Sequence, residues 1–370
     1  MATLRGEPVD RPPVSFYELN GLSEDPGNPD PFNIYTHPSW RPLIELTREK
    51  TDRIVMRGVT FKDALPDPLE EMGQEETVLR GGSRLTTRTI SVGGRLLTTR
   101  TRQDQDLNTV WTEEHLLKDV DDLKAFLQIP EQDFAGSPDP QAVIETEAIL
   151  GDTGIVMIDT PDPICLAAAL FDMGQYTLIA MTEAVLFRRL LDRFAAFLHR
   201  RTQAIAEALP GRLWRIFGPE YASPPYLPPT LFREYVCHYD KPMVQAIRRH
   251  GGFARLHSHG NLKDILEDIV SLEADGLDPI EPPPQGDVEL RYVRERYGKQ
   301  LVLFGNLEVS DIEHMPTARF AEKVKRALDE GTSGEGRGFV LMPSACPYGR
   351  ELSPLSAANY TKIIELVEAF

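Results

Sequence analysis

Six apolar runs in succession end abruptly in a polar or metal-competent residue, and this punctuation constrains the fold of the chain more than any other feature. From about residue 150, residues 154–158 lead into Asp159-Thr160, and 213–217 into Gly218-Pro219-Glu220. Residues 253–256 lead into His257-Ser258-His259-Gly260, and 277–280 into Glu281-Pro282-Pro283. Residues 301–304 lead into Gly305-Asn306, and 339–342 into Pro343-Ser344-Ala345-Cys346. Between them lie segments of helical period, such as 183–209, where Leu186, Leu190, Leu191, Phe194 and Leu198 share a face. Near-continuous apolar strands alternating with amphipathic helices predict a parallel sheet covered on its outer side. A doubly wound sheet concentrates its chemistry at one switch point, whereas a barrel opens every strand end on one face. The expectation is therefore a (β/α)8 TIM barrel, with 14–17 and 54–56 as its first two strands.

The 370 residues are expected to form a single barrel domain, 1–370, with an N-terminal extension. Residues 86–90 and 96–101 are Thr- and Arg-rich β-prone runs joined near Gly93-Gly94, which predicts a β-hairpin excursion over about 75–111. A net charge of −17 speaks against nucleic acid as a partner. No run approaches the roughly 20 apolar residues of a membrane helix. The N-terminus lacks the apolar core of a signal peptide, so a cytoplasmic protein with no membrane partner is expected. Cys165, Cys237 and Cys346 are too few and too scattered for a disulfide framework.

The strand ends carry the candidate chemistry. His257 and His259 are two residues apart, so on extended backbone both imidazoles point the same way. Cys346 ends the last strand at the same mouth, and Glu220 ends the strand before the histidines. His, His, Cys and an acid suit Zn²⁺ with an open fourth position; the bland reading is that the two histidines only hydrogen-bond across the mouth. Asp159 and Glu281 either work as an acid and base or hold the imidazole tautomers. Glu220, Asp159 and Glu281 are the candidate catalytic groups, with Asn306 beside the substrate. Phe16, Tyr17, Phe171 and Tyr221 are candidate apolar walls of a substrate pocket. No dinucleotide, P-loop or nucleophile-elbow motif is present.

LRGEPVDRPPV (residues 4–14), GPEYASPPYLPP (218–229), LHSHG (256–260), FGNLE (304–308) and PSAC (343–346) together resemble the uroporphyrinogen decarboxylase superfamily, in order and over nearly the whole chain. The resemblance implies a (β/α)8 barrel and two functional classes. Metal-free decarboxylases of that superfamily carry arginines just after the first strand to bind substrate carboxylates. Residues 15–21 here contain none, and Glu18 would repel a polyanion. The zinc-dependent methyltransferases resemble this chain at His257, Gly260 and Cys346, but usually have Cys where His259 stands. An imidazole in place of a thiolate leaves zinc more electrophilic.

That departure suits O-demethylation. A methyl group would pass from a methoxylated, aromatic small molecule to the cobalt of a cobalamin carried by a separate corrinoid protein, with zinc on His257, His259, Cys346 and Glu220. The chain lacks the D-x-H-x-x-G cobalamin signature. The resemblance also admits a homodimer. Two readings stand beside this one: a metal-free decarboxylase or lyase acting on a carboxylated substrate, and a non-catalytic binding module.

Overall fold

The computed structural model describes residues 1–16, 19–22, 30–131 and 136–370; Tyr17 and Glu18 lie outside them. Seven parallel strands form the central sheet in chain order: β1 (Arg53–Arg57), β2 (Gly154–Pro161), β3 (Leu213–Phe217), β4 (Phe253–Ser258), β5 (Gly276–Pro279), β6 (Val302–Leu307) and β7 (Phe339–Pro343). Each β-strand pairs in parallel with the next, as right-handed βα units require.

The eighth strand expected over 14–17 is reduced to one bridge, Val14 opposite Leu341. Ser15 N–H donates to Leu341 O at 3.0 Å, and Leu341 N–H to Pro13 O at 2.9 Å. On the other side, Asp52 N–H donates to Val14 O at 2.7 Å, so this short segment joins the two edges of the curled sheet. It cannot extend as a ladder, because Pro12 and Pro13 have no N–H. Val14 N–H is also diverted, to the side chain of Asp52 at 3.0 Å.

The excursion is larger than a hairpin. Strands Gly73–Arg80, Ser83–Val92, Arg95–Asp104 and Val110–Glu114 form a four-stranded antiparallel sheet. Gly93 and Gly94 make its central two-residue turn with φ of 57° and 75°, the left-handed pair that a type I′ turn demands. Ile90 and Leu97 sit opposite each other in register and are buried against the body.

Helices cover the outside of the parallel sheet. Ala184–Ala208 follows the periodicity expected over 183–209, and its apolar stripe, including Leu190, Leu191 and Leu198, is buried. The segment 229–250 is helical but broken by one π-turn at Arg233–Cys237. The helix between β4 and β5 is short, Leu266–Ser271.

Inside the sheet, a second apolar cluster comprises Leu4, Met157, Leu213, Val302, Phe304, Val340 and Met342, packed with Ile54, Met56, Ile155 and Phe253. These alternate along β1, β2, β3, β4, β6 and β7, as inward positions of pleated strands must. They plug the interior below the strand C-termini. Among the described residues, no helix is long and apolar enough to cross a membrane.

Candidate functional site

Counting by twos from that plug toward the strand C-termini locates the site. The inward positions become Asp159 on β2, Arg215 on β3, Arg255 and His257 on β4, Asp278 on β5 and Asn306 on β6. The apolar floor therefore gives way to a layer of charge. Buried charges must be paired, and these are. Arg255 grips Asp278 with two parallel hydrogen bonds of 2.5 and 2.6 Å, and both side chains are fully buried. Its guanidinium also lies over the Phe304 ring, 4.7 Å from the centroid. Arg215 makes the same two-pronged contact with Asp159, at 2.6 and 2.9 Å.

Asp278 has a second partner. Its Oδ2 lies 2.7 Å from His257 Nδ1. Burial works against an ionised Asp278, but the Arg255 guanidinium and His257 hold its carboxyl well below the usual range. An ionised carboxylate only accepts, so Nδ1 of His257 carries the hydrogen. Burial pushes the His257 imidazole below its ordinary value, with Asp278 opposing.

His259 repeats the arrangement one pleat further out. Glu281 Oε1 lies 2.7 Å from His259 Nδ1, and Glu281 Oε2 accepts from Gly260 N–H at 2.7 Å. Burial disfavours the charged forms of both His259 and Glu281. Their pairing overcomes it, raising the imidazole and lowering the carboxyl. The two histidine rings stand edge to face, 4.6 Å between centroids at 88°. Each imidazole thus has its Nδ1 tied to a carboxylate, the orientation that carboxylate–histidine–metal sites use to aim Nε2.

Cys346, just after β7, has a hydrogen-bond partner of its own. Its buried sulfur accepts from the Tyr35 hydroxyl at 3.6 Å, and that hydroxyl accepts from Asn108 Nδ2 at 3.3 Å. Among the described residues, no group of three or more His, Cys, Asp or Glu side chains stands in position to hold a metal ion. The donor types fit zinc, and the two imidazoles are pre-oriented for it. Glu220 turns back on its own loop, where Oε2 accepts from Gly218 N–H at 3.1 Å, although its charge is felt at His259.

Of the expected catalytic groups, Glu281 is the orienter of His259, and Asp159 is paired with Arg215. Asn306 reaches the mouth on a strand end that only glycine allows. Gly305 has φ of 141°, and a Cβ there would stand 2.0 Å from Pro279 O. Asn306 and Glu308 line a cleft with Pro282 and Pro283. The proposed aromatic walls divide. Phe16 is buried edge-on to Tyr360 at 4.7 Å, and Phe171 lies in the continuous core, so neither borders an open mouth. Tyr221 is half-buried, its hydroxyl pushed up to about 12 by burial and then by Cys165. Tyr17 falls outside the described residues.

Sequence reasoning passed over Arg215, Arg255, Asp278 and Glu308. The signal for the first three was a single charge at an inward position of an otherwise apolar strand. Glu308 follows β6 and is buried, with Oε1 lacking a hydrogen-bond partner among the described residues. Burial, and next the charge of Glu281, push its carboxyl up to about 7.

A family model described as uroporphyrinogen decarboxylase (URO-D) matches residues 156–350, more than half of the chain and the part that carries β3 to β7 whole. No curated protein matches the sequence. Among solved structures, a methyltransferase from Methanosarcina mazei is similar in fold, with a TM-score of 0.58 and 16% identity, over 100% of this chain and 97% of that one.

Proposed function

Since the chain belongs to the uroporphyrinogen decarboxylase family, we propose that it is a methyltransferase of that family, moving a methyl group from a methoxylated, aromatic small molecule to the cobalt of a separate corrinoid protein. The observation that carries this reading is the His257–His259 pair, each ring oriented through Nδ1 by a buried carboxylate at the strand C-termini. The fold shared with the Methanosarcina mazei methyltransferase supports it. We take residues 1–370 as one barrel domain, with Val14 in the eighth strand's place.

Zinc would be held by His257 and His259 through Nε2, with Cys346 and Glu220 completing the set. When bound, it supplies a Lewis acid beside the oxygen that carries the methyl group, while the partner's cobalamin supplies the cobalt acceptor. The chain's own residues do the rest. Asp278 and Glu281 hold the two imidazoles in one tautomer and one direction. Arg255, clasping Asp278, keeps that carboxylate ionised and fixed. Asn306 offers amide hydrogen-bonding groups to a substrate oxygen at the rim. Glu308, which carries a proton near neutral pH on a carboxyl with an unpartnered oxygen, is suited to deliver it to the departing oxygen. Pro282 and Pro283 stiffen the wall against which the substrate would lie.

The test is methyl transfer to free cob(I)alamin, read as loss of its absorbance over a panel of methoxyarenes, methylamines and methyl thioethers. Transfer from a methoxyarene that disappears in His257→Ala supports the proposal. No transfer from any donor by a zinc-loaded protein sinks it.

One observation favours a second reading, a metal-free carboxy-lyase: the Cys346 sulfur accepts from Tyr35, and among the described residues no group of three or more ligand side chains is placed to hold a metal ion. That enzyme would release CO₂ from a carboxylated substrate without metal and would keep its turnover in Cys346→Ala.

A further inference from the structure

The four-stranded antiparallel sheet has two edges, and they meet solvent differently. At one, Val110–Glu114 is short, its register with the neighbouring strand shifts at Arg100 and Thr101, and it closes on two glutamates. Short strands, bulges and charge are the devices that keep an edge from pairing with another chain. The opposite edge, Gly73–Arg80, is left open. It runs for eight residues without proline, and its register with Ser83–Val92 is unbroken. Every residue after Gly73 is exposed, Leu79 at 73%, so the body of the protein does not lie beneath this strand.

Its backbone groups sort by turn geometry. Gly81 and Gly82, with φ of 60° and 85°, make a two-residue turn, so the flanking pair Arg80 and Ser83 exchange hydrogen bonds. Alternation then aims the backbone of Gln74, Glu76, Val78 and Arg80 at the neighbouring strand, and that of Glu75, Thr77 and Leu79 outward. Among the described residues, no backbone group meets the outward set. The pleat puts Glu76, Val78 and Arg80 on one face. On that face Val78 begins a row that continues through Leu85 and Arg102 to the exposed Trp111. Glu76 and Arg80 carry opposite charges two positions either side of Val78, and neither has an ion pair among the described residues.

We propose that Gly73–Arg80 is a homodimer interface, in which two copies pair antiparallel about a two-fold axis at Val78 and join their sheets into one of eight strands. The residues select that register. With Val78 opposite Val78 of the second copy, Glu76 meets Arg80 twice, as a self-complementary interface requires. Thr77 then lies opposite Leu79, so the outward groups of both become the bonded pairs, and Val78 falls in the closely spaced non-bonded pair. Moving the axis to Thr77 would set Glu76 against Val78 and Gln74 against Arg80, leaving both charges unmatched. In the chosen register the row from Trp111 to Val78 runs on across the axis into its copy. The interface is independent of the reaction at the strand C-termini.

Sedimentation velocity of the full chain over a concentration series tests this and should show a dimer that dissociates on dilution. Thr77→Pro removes an outward N–H and spares the ladder to Ser83–Val92, so it should give a monomer with unchanged circular dichroism. Glu76→Arg and Arg80→Glu should each raise the dissociation constant roughly tenfold. Combining the two should restore the dimer. Val78→Cys should cross-link to its own copy under mild oxidation where the wild type does not. The proposal is overturned if the chain is monomeric at every concentration, which would leave this edge to an extended segment of another protein. It is equally overturned if a dimer persists in Thr77→Pro, if neither charge reversal weakens it, or if the double reversal fails to restore it.

Discussion

The carboxylate of Asp278 receives His257 Nδ1 on Oδ2 at 2.7 Å while the Arg255 guanidinium holds both of its oxygens at 2.5 and 2.6 Å. One buried anion thus serves an imidazole and a guanidinium on neighbouring positions of the same strand. Replacing Asp278 by Asn removes the charge and leaves Arg255 buried without a counterion. Breaking such a pair costs about 3–5 kcal/mol, so Asp278→Asn should lower the denaturant midpoint by a corresponding amount. A change under about 1 kcal/mol would mean that water reaches Arg255.

Glu308 gives a pH dependence with a definite sign. Its carboxyl is raised to about 7 in the folded chain, against about 4.3 when unfolded. The stability it contributes is complete below the unfolded value and is lost as pH rises through about 7. That loss is on the order of 3 kcal/mol. Thermal midpoints of wild type should fall between about pH 5 and 7 relative to Glu308→Gln, which stays neutral throughout. Parallel curves for the two proteins would show that Glu308 is ionised well below neutrality.

Gly305 is predicted to be intolerant of any side chain. At φ of 141°, a Cβ would stand 2.0 Å from Pro279 O, backbone that cannot rotate away. Strain of this kind costs about 1–3 kcal/mol from conformation alone, and the clash adds to it. Gly305→Ala should destabilise by more than that range and displace Asn306. Unfolding curves measure the first effect, and substrate affinity measures the second. Gly298→Ala is a poor control because it also meets backbone, at 2.4 Å, whereas Gly334→Ala has open space around it and tests the left-handed φ alone.

Zinc binding should depend on residues that never touch the metal. Removing an outer partner of a ligating imidazole costs roughly 10–100-fold in metal affinity, so Glu281→Gln should weaken zinc by about that factor in chelator competition. Tyr35→Phe should act in the opposite direction, because it frees the Cys346 thiol from its hydrogen bond. If Tyr35→Phe and Cys346→Ser both leave zinc affinity unchanged, Cys346 is not a ligand.

Much of the architecture was legible residue by residue. β3 spans the residues expected of it, and β4, β5 and β7 agree to within two residues. The Gly93-Gly94 turn was correctly placed, because its positive dihedrals are a local demand. The eighth strand failed because Pro12 and Pro13 cannot donate and because Asp52 captures the Val14 N–H, a contact across 38 residues of chain. The two-stranded hairpin became four strands because its outer strands, Gly73–Arg80 and Val110–Glu114, are held by register with the inner pair rather than by their own apolar pattern.

By itself, the sequence determined that β and α segments alternate, that each strand ends in a polar residue, and that His257 and His259 point the same way. These follow from hydrophobic period and from the pleat, which act over a few neighbouring residues. Only the tertiary structure decided that Asp278 serves His257, that Glu281 serves His259, that Asp159 belongs to Arg215, and that Cys346 rests on Tyr35. Such pairings depend on which residues stand opposite one another on adjacent strands and on how far each loop reaches. In a dry interior a charge takes whichever partner lies within hydrogen-bond distance, and that distance is set by packing of the whole sheet and the helices around it.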